Sequence, residues 1–200
     1  MRCANASHFL FISCFLVSCD HRTVEEHYPS GRIKSVISLN QRDLPDGVAT
    51  TYYESGQIET TGEWKDGNRE GTCRWFAPNG SVEMEGSYVE GEMQGEFTEY
   101  FPNGSIKTVI SYSEAKKNGV ARTFYPTGEL QSAVQYHNGL QNDTSRYLFL
   151  NGITSMIAFH QNDTVLWYVE YDSLGNATTE FARNVIGTSA LVPKRILNGD

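Results

Sequence analysis

The chain has 200 residues, with 16 lysine and arginine residues against 24 aspartate and glutamate residues, and a net charge of −8. That balance argues against a nucleic-acid partner, whose phosphates select clustered basic side chains. It also argues against adhesion to anionic lipid through a basic face.

In chain order, the first element is a leader. Arg2 gives a short positive start, and Phe9 to Val17 is a mostly apolar run too short to span a bilayer. Residues 1–18 therefore read as a secretory signal peptide. The run ends in Leu16-Val17-Ser18-Cys19, which resembles the lipobox of bacterial lipoproteins. The resemblance implies cleavage before Cys19, a lipid on Cys19, and membrane attachment in the bacterial cell envelope. Asp20 resembles the inner-membrane retention signal of enterobacterial lipoproteins. Residues 19–27 then form a lipid-anchored linker. Cleavage removes one arginine and no acid, so the mature chain is one charge more acidic than the full sequence. Cys3 and Cys14 leave with the leader and Cys19 is the anchor, so Cys73 has no disulfide partner within the body. Its repeat equivalents are Ala49, Phe97, Ala121 and Ser145, which marks it as a small packing residue, not a nucleophile.

From here a glycine returns every 24 residues, at Gly56, Gly80, Gly104, Gly128 and Gly152, with flanking copies at Gly31 and Gly175. A fixed period of this length is the signature of a repeat architecture. After each marker glycine, apolar or small residues alternate with polar ones. Examples are Ile58, Thr60, Gly62, Trp64 and then Val82, Met84, Gly86, Tyr88. Alternation predicts a strand with one buried face. Turn dipeptides follow at Asp66-Gly67, Glu90-Gly91 and Asn138-Gly139. A second strand then runs to an aromatic pair: Tyr52-Tyr53, Trp75-Phe76, Tyr100-Phe101 and Phe124-Tyr125. Proline punctuates the next turn at Pro78, Pro102 and Pro126. The expected fold is all-β: an elongated antiparallel meander of about six tandem 24-residue β-hairpin repeats over residues 28–181, with 182–200 as a cap or tail. At two strands per unit its length comes to roughly 60 Å.

Trp64-Lys-Asp-Gly67 with Gly71, and Tyr88-Val-Glu-Gly91 with Gly95, resemble MORN repeats in the bacterial variant of YwqK-like antitoxin proteins. The further Tyr-x-x-x-Gly element of that variant stands at Tyr28 to Gly31, Tyr53 to Gly56 and Tyr125 to Gly128. The pattern departs at Ala115, which replaces a turn glycine, and in residues 152–166, where His160 and Asp163 take marker positions. The resemblance implies a non-catalytic protein that holds a toxin partner through its repeat sheet. An envelope address extends this to an immunity role.

The column Trp64, Tyr88, Tyr112 and Tyr136 is expected to form core. Trp75 stands apart, because its repeat equivalents are Thr51, Glu99, Thr123 and Tyr147. A tryptophan without a repeat role is a candidate partner contact. The best-formed repeats are also dense in acids. Within them Glu83, Glu85, Glu90 and Glu92 are candidates for docking a basic partner, against the alternative of a solvated face that blocks edge pairing. His21, His27, His137 and His160 assemble no catalytic set, and no cofactor, metal or phosphate-cradling loop is expected. A structural or surface scaffold for polysaccharide or other envelope components is the second reading. Open sheet ends leave room for self-association.

Overall fold

The computed structural model describes residues 22–183. The segment read as a leader, the expected anchor Cys19, and the segment beyond Arg183 lie outside the described residues. The strands are β1 (Arg22–His27), β2 (Ile33–Leu39), β3 (Pro45–Tyr52), β4 (Ile58–Lys65), β5 (Asn68–Phe76), β6 (Val82–Val89), β7 (Glu92–Tyr100) and β8 (Ile106–Ser113). They continue as β9 (Lys116–Lys117), β10 (Gly119–Phe124), β11 (Leu130–His137), β12 (Leu140–Gln141), β13 (Asp143–Leu148), β14 (Thr154–Gln161), β15 (Thr164–Tyr171) and β16 (Ala177–Ala182). All belong to one antiparallel sheet in sequence order. The short β9 and β12 pair only with β8 and β11. The all-β meander is therefore as expected.

Two turn chemistries alternate along the array. At one edge both central residues have positive φ: Asp66 and Gly67 at 49° and 91°, Glu90 and Gly91 at 52° and 86°. That is the tight hairpin turn whose twist matches the strands it joins. Ala115 keeps this turn without a glycine, at φ 58° behind Glu114 at 51°. The hairpin pairing on either side holds an alanine in a conformation it disfavours.

At the other edge each hairpin carries a bulge. Trp75 pairs with Met84 but Phe76 pairs with Val82, so Glu83 is the extra residue. Glu59, Lys107 and Gln131 recur in the same role. The pairing also corrects the aromatic pairs. Phe76 faces Val82 as Tyr52 faces Ile58, so Phe76-Ala77, not Trp75-Phe76, occupies the place of Tyr52-Tyr53.

Cross-strand partners share a face. One face, called the front here, carries Trp64, Cys73, Trp75, Met84, Tyr88, Phe97 and Tyr112; the back carries Arg74, Glu85 and Thr98. Of the predicted ring column Tyr88 is buried in the core and Tyr112 packs against it, whereas Trp64 and Tyr136 are half-buried; Phe97 is an addition. It inserts between members of the column, 5.4 Å from Tyr88 and 5.1 Å from Tyr112, both edge to face. Phe97 lies over Gly86, where an added Cβ would stand 2.3 Å from its ring.

The N-terminal boundary shifts from the expected one. Arg22–His27, read as part of the linker, is an edge strand paired with β2. Exposed ion pairs accompany that pairing, Arg22 to Asp43 at 2.7 Å and Lys34 to Glu26 at 2.9 Å. The units at 152–166 lose their markers but not their fold. Asn162 and Asp163 take the two positive-φ positions. His160 fills the ring column at 6% exposure. Its Nδ1 lies 3.3 Å from Ser145 Oγ, and burial lowers its pKa.

Candidate partner-binding groove

Three substitutions in one repeat open a groove on the front face. Along the bulged edge the cross-strand pair at this position varies: it is Glu99 with Thr108 and Tyr147 with Met156 in two units, and a small hydroxyl pair in two others. Thr51 Oγ1 lies 2.8 Å from Thr60 Oγ1, and Thr123 Oγ1 lies 2.7 Å from Ser132 Oγ. In the second unit that pair becomes Trp75 and Met84. Beside it runs a row of tyrosines, each donating its hydroxyl to a backbone carbonyl of the next repeat. Tyr28 reaches Tyr52, Tyr53 reaches Phe76 and Tyr125 reaches Leu148, at 2.7 to 2.8 Å. At the two intervening positions stand Ala77 and Phe101, which carry no hydroxyl. Where the tyrosine shrinks to alanine, a groove of about 690 Å³ lies between the turns that start at Ala77 and Phe101. Trp75, Pro78, Met84, Phe101 and Pro102 line it, with Asn79, Glu83, Glu99 and Lys107 as polar lining residues.

The charges around this groove are unequal. Lys107 Nζ lies 3.5 Å from Glu99 and offsets it. Among the described residues no ion pair reaches Glu83, the bulge residue, which lines the groove with Trp75. Arg69 packs against the tryptophan. Its guanidinium lies 5.5 Å from the Trp64 ring, 5.8 Å from Trp75 and 5.3 Å from Tyr88, within the range of cation–π attraction.

The other predicted contacts do not converge with Trp75. Glu85 lies on the back face. It accepts a hydrogen bond from the Tyr100 hydroxyl at 2.7 Å and pairs with Arg74 at 3.0 Å. Those contacts, the tyrosine first, hold its pKa below the ordinary carboxylate value. Glu90 and Glu92 lie at the far edge, about 23 Å along the strand from Glu83 at ~3.3 Å per residue. There they line a shallow depression of about 360 Å³ with Val89, Gln94 and Glu114. An acid at that edge bridges successive turns: the Glu70 carboxylate accepts from the Glu90 backbone N–H at 2.9 Å. So of the four acids only Glu83 joins Trp75. The pleat and the strand length separate residues that sit close together in sequence.

Cys73 is buried against Tyr88 and Phe97, and burial pushes its thiol pKa up, as suits a packing residue. Among the described residues no group of three or more His, Cys, Asp or Glu side chains is arranged to hold a metal. The groove residues that sequence reasoning missed are Ala77, Met84, Phe101 and Lys107. Ala77 left a signal, as the alanine in a row that holds tyrosine or phenylalanine at its other positions from Tyr28 to Phe149.

Residues 45–66, 69–90, 93–114 and 117–138 each match the family model described as the MORN repeat variant. No curated protein matches the chain. Among solved structures, a mutant of TarM from S. aureus in complex with Fondaparinux, alpha-GlcNAc-glycerol and UDP is similar over 62% of this chain and 21% of that one. Identity is 9% and the TM-score 0.35. A second TarM structure is similar over 74% and 21%, at 10% identity and a TM-score of 0.29. The chain spans about a fifth of the length of those proteins.

Proposed function

Because the chain carries four tandem MORN repeat variants, we propose that it is a non-catalytic scaffold that holds a protein partner against its repeat sheet. The finer reading is an envelope lipoprotein, anchored through Cys19, that neutralises a toxin acting at that envelope. One observation carries the site: Trp75 and Met84 stand beside Ala77, the alanine in the tyrosine row, and there the groove opens. A uniform stack offers equivalent surfaces, whereas a specific partner needs one place unlike the rest. The acidic balance suits a basic partner, since complementary charge speeds encounter. A polysaccharide scaffold is the second reading, favoured by an indole lining a groove that also holds Asn79 and Glu83.

The test is photo-cross-linking of the full chain in its own envelope, followed by mass spectrometry. A cross-linking residue is placed at Asn79, beside the groove, or at Asn138, on a far turn. A single protein captured from Asn79 and not from Asn138, and lost in Ala77→Tyr, supports the scaffold. Glycan captured from Asn79 instead, or equal capture from both sites, sinks it.

A further inference from the structure

We propose that the groove recognises a cationic side chain, an arginine presented by an extended segment of the protein partner, between the Trp75 indole and the Glu83 carboxylate. The proposal rests on the protein-binding reading above and names the chemistry that the partner must supply.

The volume comes first. About 690 Å³ falls within the range of built ligand sites. It lies along the sheet between two successive turns, so it fits a stretch of chain better than one isolated side chain. Charge comes second. Lys107 offsets Glu99, and among the described residues no ion pair reaches Glu83. An occupant that covered Glu83 without supplying a positive charge would bury an unpaired carboxylate, which is strongly unfavourable. An oligosaccharide would meet Glu83 with hydroxyl donors but leave its charge uncompensated; a basic peptide would supply both donors and charge.

The third observation selects the cation. The Trp75 ring already has a guanidinium beside it, that of Arg69 at 5.8 Å. The indole thus offers a π surface that a cation already uses, and it also lines the groove. A guanidinium is planar, stacks on aromatic faces and forks onto a carboxylate, which a lysine ammonium does not do. Pro78, Met84 and Phe101 would then take apolar neighbours of the arginine in the bound segment.

The experiment uses the full chain with labelled methionine methyls and tryptophan indoles, followed by NMR. The probe is an acetylated, amidated leucine–arginine–leucine peptide. Its comparison is the same peptide with citrulline, which keeps the shape and removes the charge. Expected are shifts confined to the Trp75 indole and the Met84 methyl, and about ten-fold weaker binding of the citrulline peptide. Glu83→Gln, an exposed-edge change that leaves packing intact, should weaken the arginine peptide by a similar factor and leave the citrulline peptide unchanged. Equal binding of the two peptides, shifts unaffected by Glu83→Gln, no shift at millimolar peptide, or shifts produced by cellohexaose but not by peptide would each overturn the proposal. The two levels separate cleanly. If Asn79 still captures one protein while arginine and citrulline bind alike, cation recognition fails and the scaffold stands. If arginine selectivity holds while envelope cross-linking recovers no protein, the scaffold reading fails.

Discussion

Replacing Gly86 with alanine should destabilise the sheet by about 1–2 kcal/mol. The methyl would stand 2.3, 2.4 and 2.5 Å from three carbons of the Phe97 ring. Carbon pairs rest at about 3.5–4.0 Å, so the ring would have to move by ~1 Å or more. It has little room, because Tyr88 and Tyr112 hold it edge to face on both sides. Overpacking of this kind costs about 1–3 kcal/mol. Against it stands the ~0.5–1 kcal/mol gained when a strand glycine in ordinary backbone geometry becomes alanine. Urea unfolding reads the difference as a midpoint lowered by about 0.5–1 M, for an m-value near 2 kcal/mol/M. The decisive comparison is a double-mutant cycle with Phe97→Ala. Once the ring is gone, Gly86→Ala should be neutral or stabilising. If it costs the same with and without the ring, the close approach of Phe97 is not why glycine is needed.

Ala115→Gly should stabilise the protein by about 0.5–1 kcal/mol, because the alanine sits at φ 58°; thermal unfolding checks the sign. Glu85 has a lowered pKa in the fold, so its contribution is full above the unfolded carboxyl value of about 4.3 and is lost as pH falls through the lower folded value. Glu85→Gln should therefore flatten the fall in melting temperature at acid pH, and an unchanged slope would count against the Tyr100 and Arg74 contacts. His160 also has a lowered pKa, from burial and against the pull of Asp163, so the unfolded chain binds its proton first. Wild-type stability should fall as pH drops below about 6.5, and His160→Phe should remove that part of the loss. Tyr125→Phe deletes the hydroxyl that reaches the Leu148 carbonyl and should cost about 1 kcal/mol by the same unfolding assay.

The repeat, the two turn edges and the ring column were legible in the sequence because each is a one-dimensional regularity. A marker glycine every 24 residues sets the hairpin length, and alternation assigns Trp64, Tyr88, Tyr112 and Tyr136 to one face. Trp75 stood out for the same reason, as a break in that regularity. The rest depended on neighbours across strands. Glu83 and Glu85 are two residues apart, and simple alternation would put them on one face. The bulge at Glu83 is a property of the pairing; Glu83 lines the groove with Trp75, and Glu85 pairs with Arg74 on the back. The dense acidic stretch therefore separates into groove, back face and far edge. The pairing with Val82 also places Ala77 in the tyrosine row, where its missing ring opens space. Periodicity along the chain determines which residues are equivalent. Only the packing of one repeat on the next decides where that equivalence leaves a gap, because a groove is bounded by side chains from adjacent repeats.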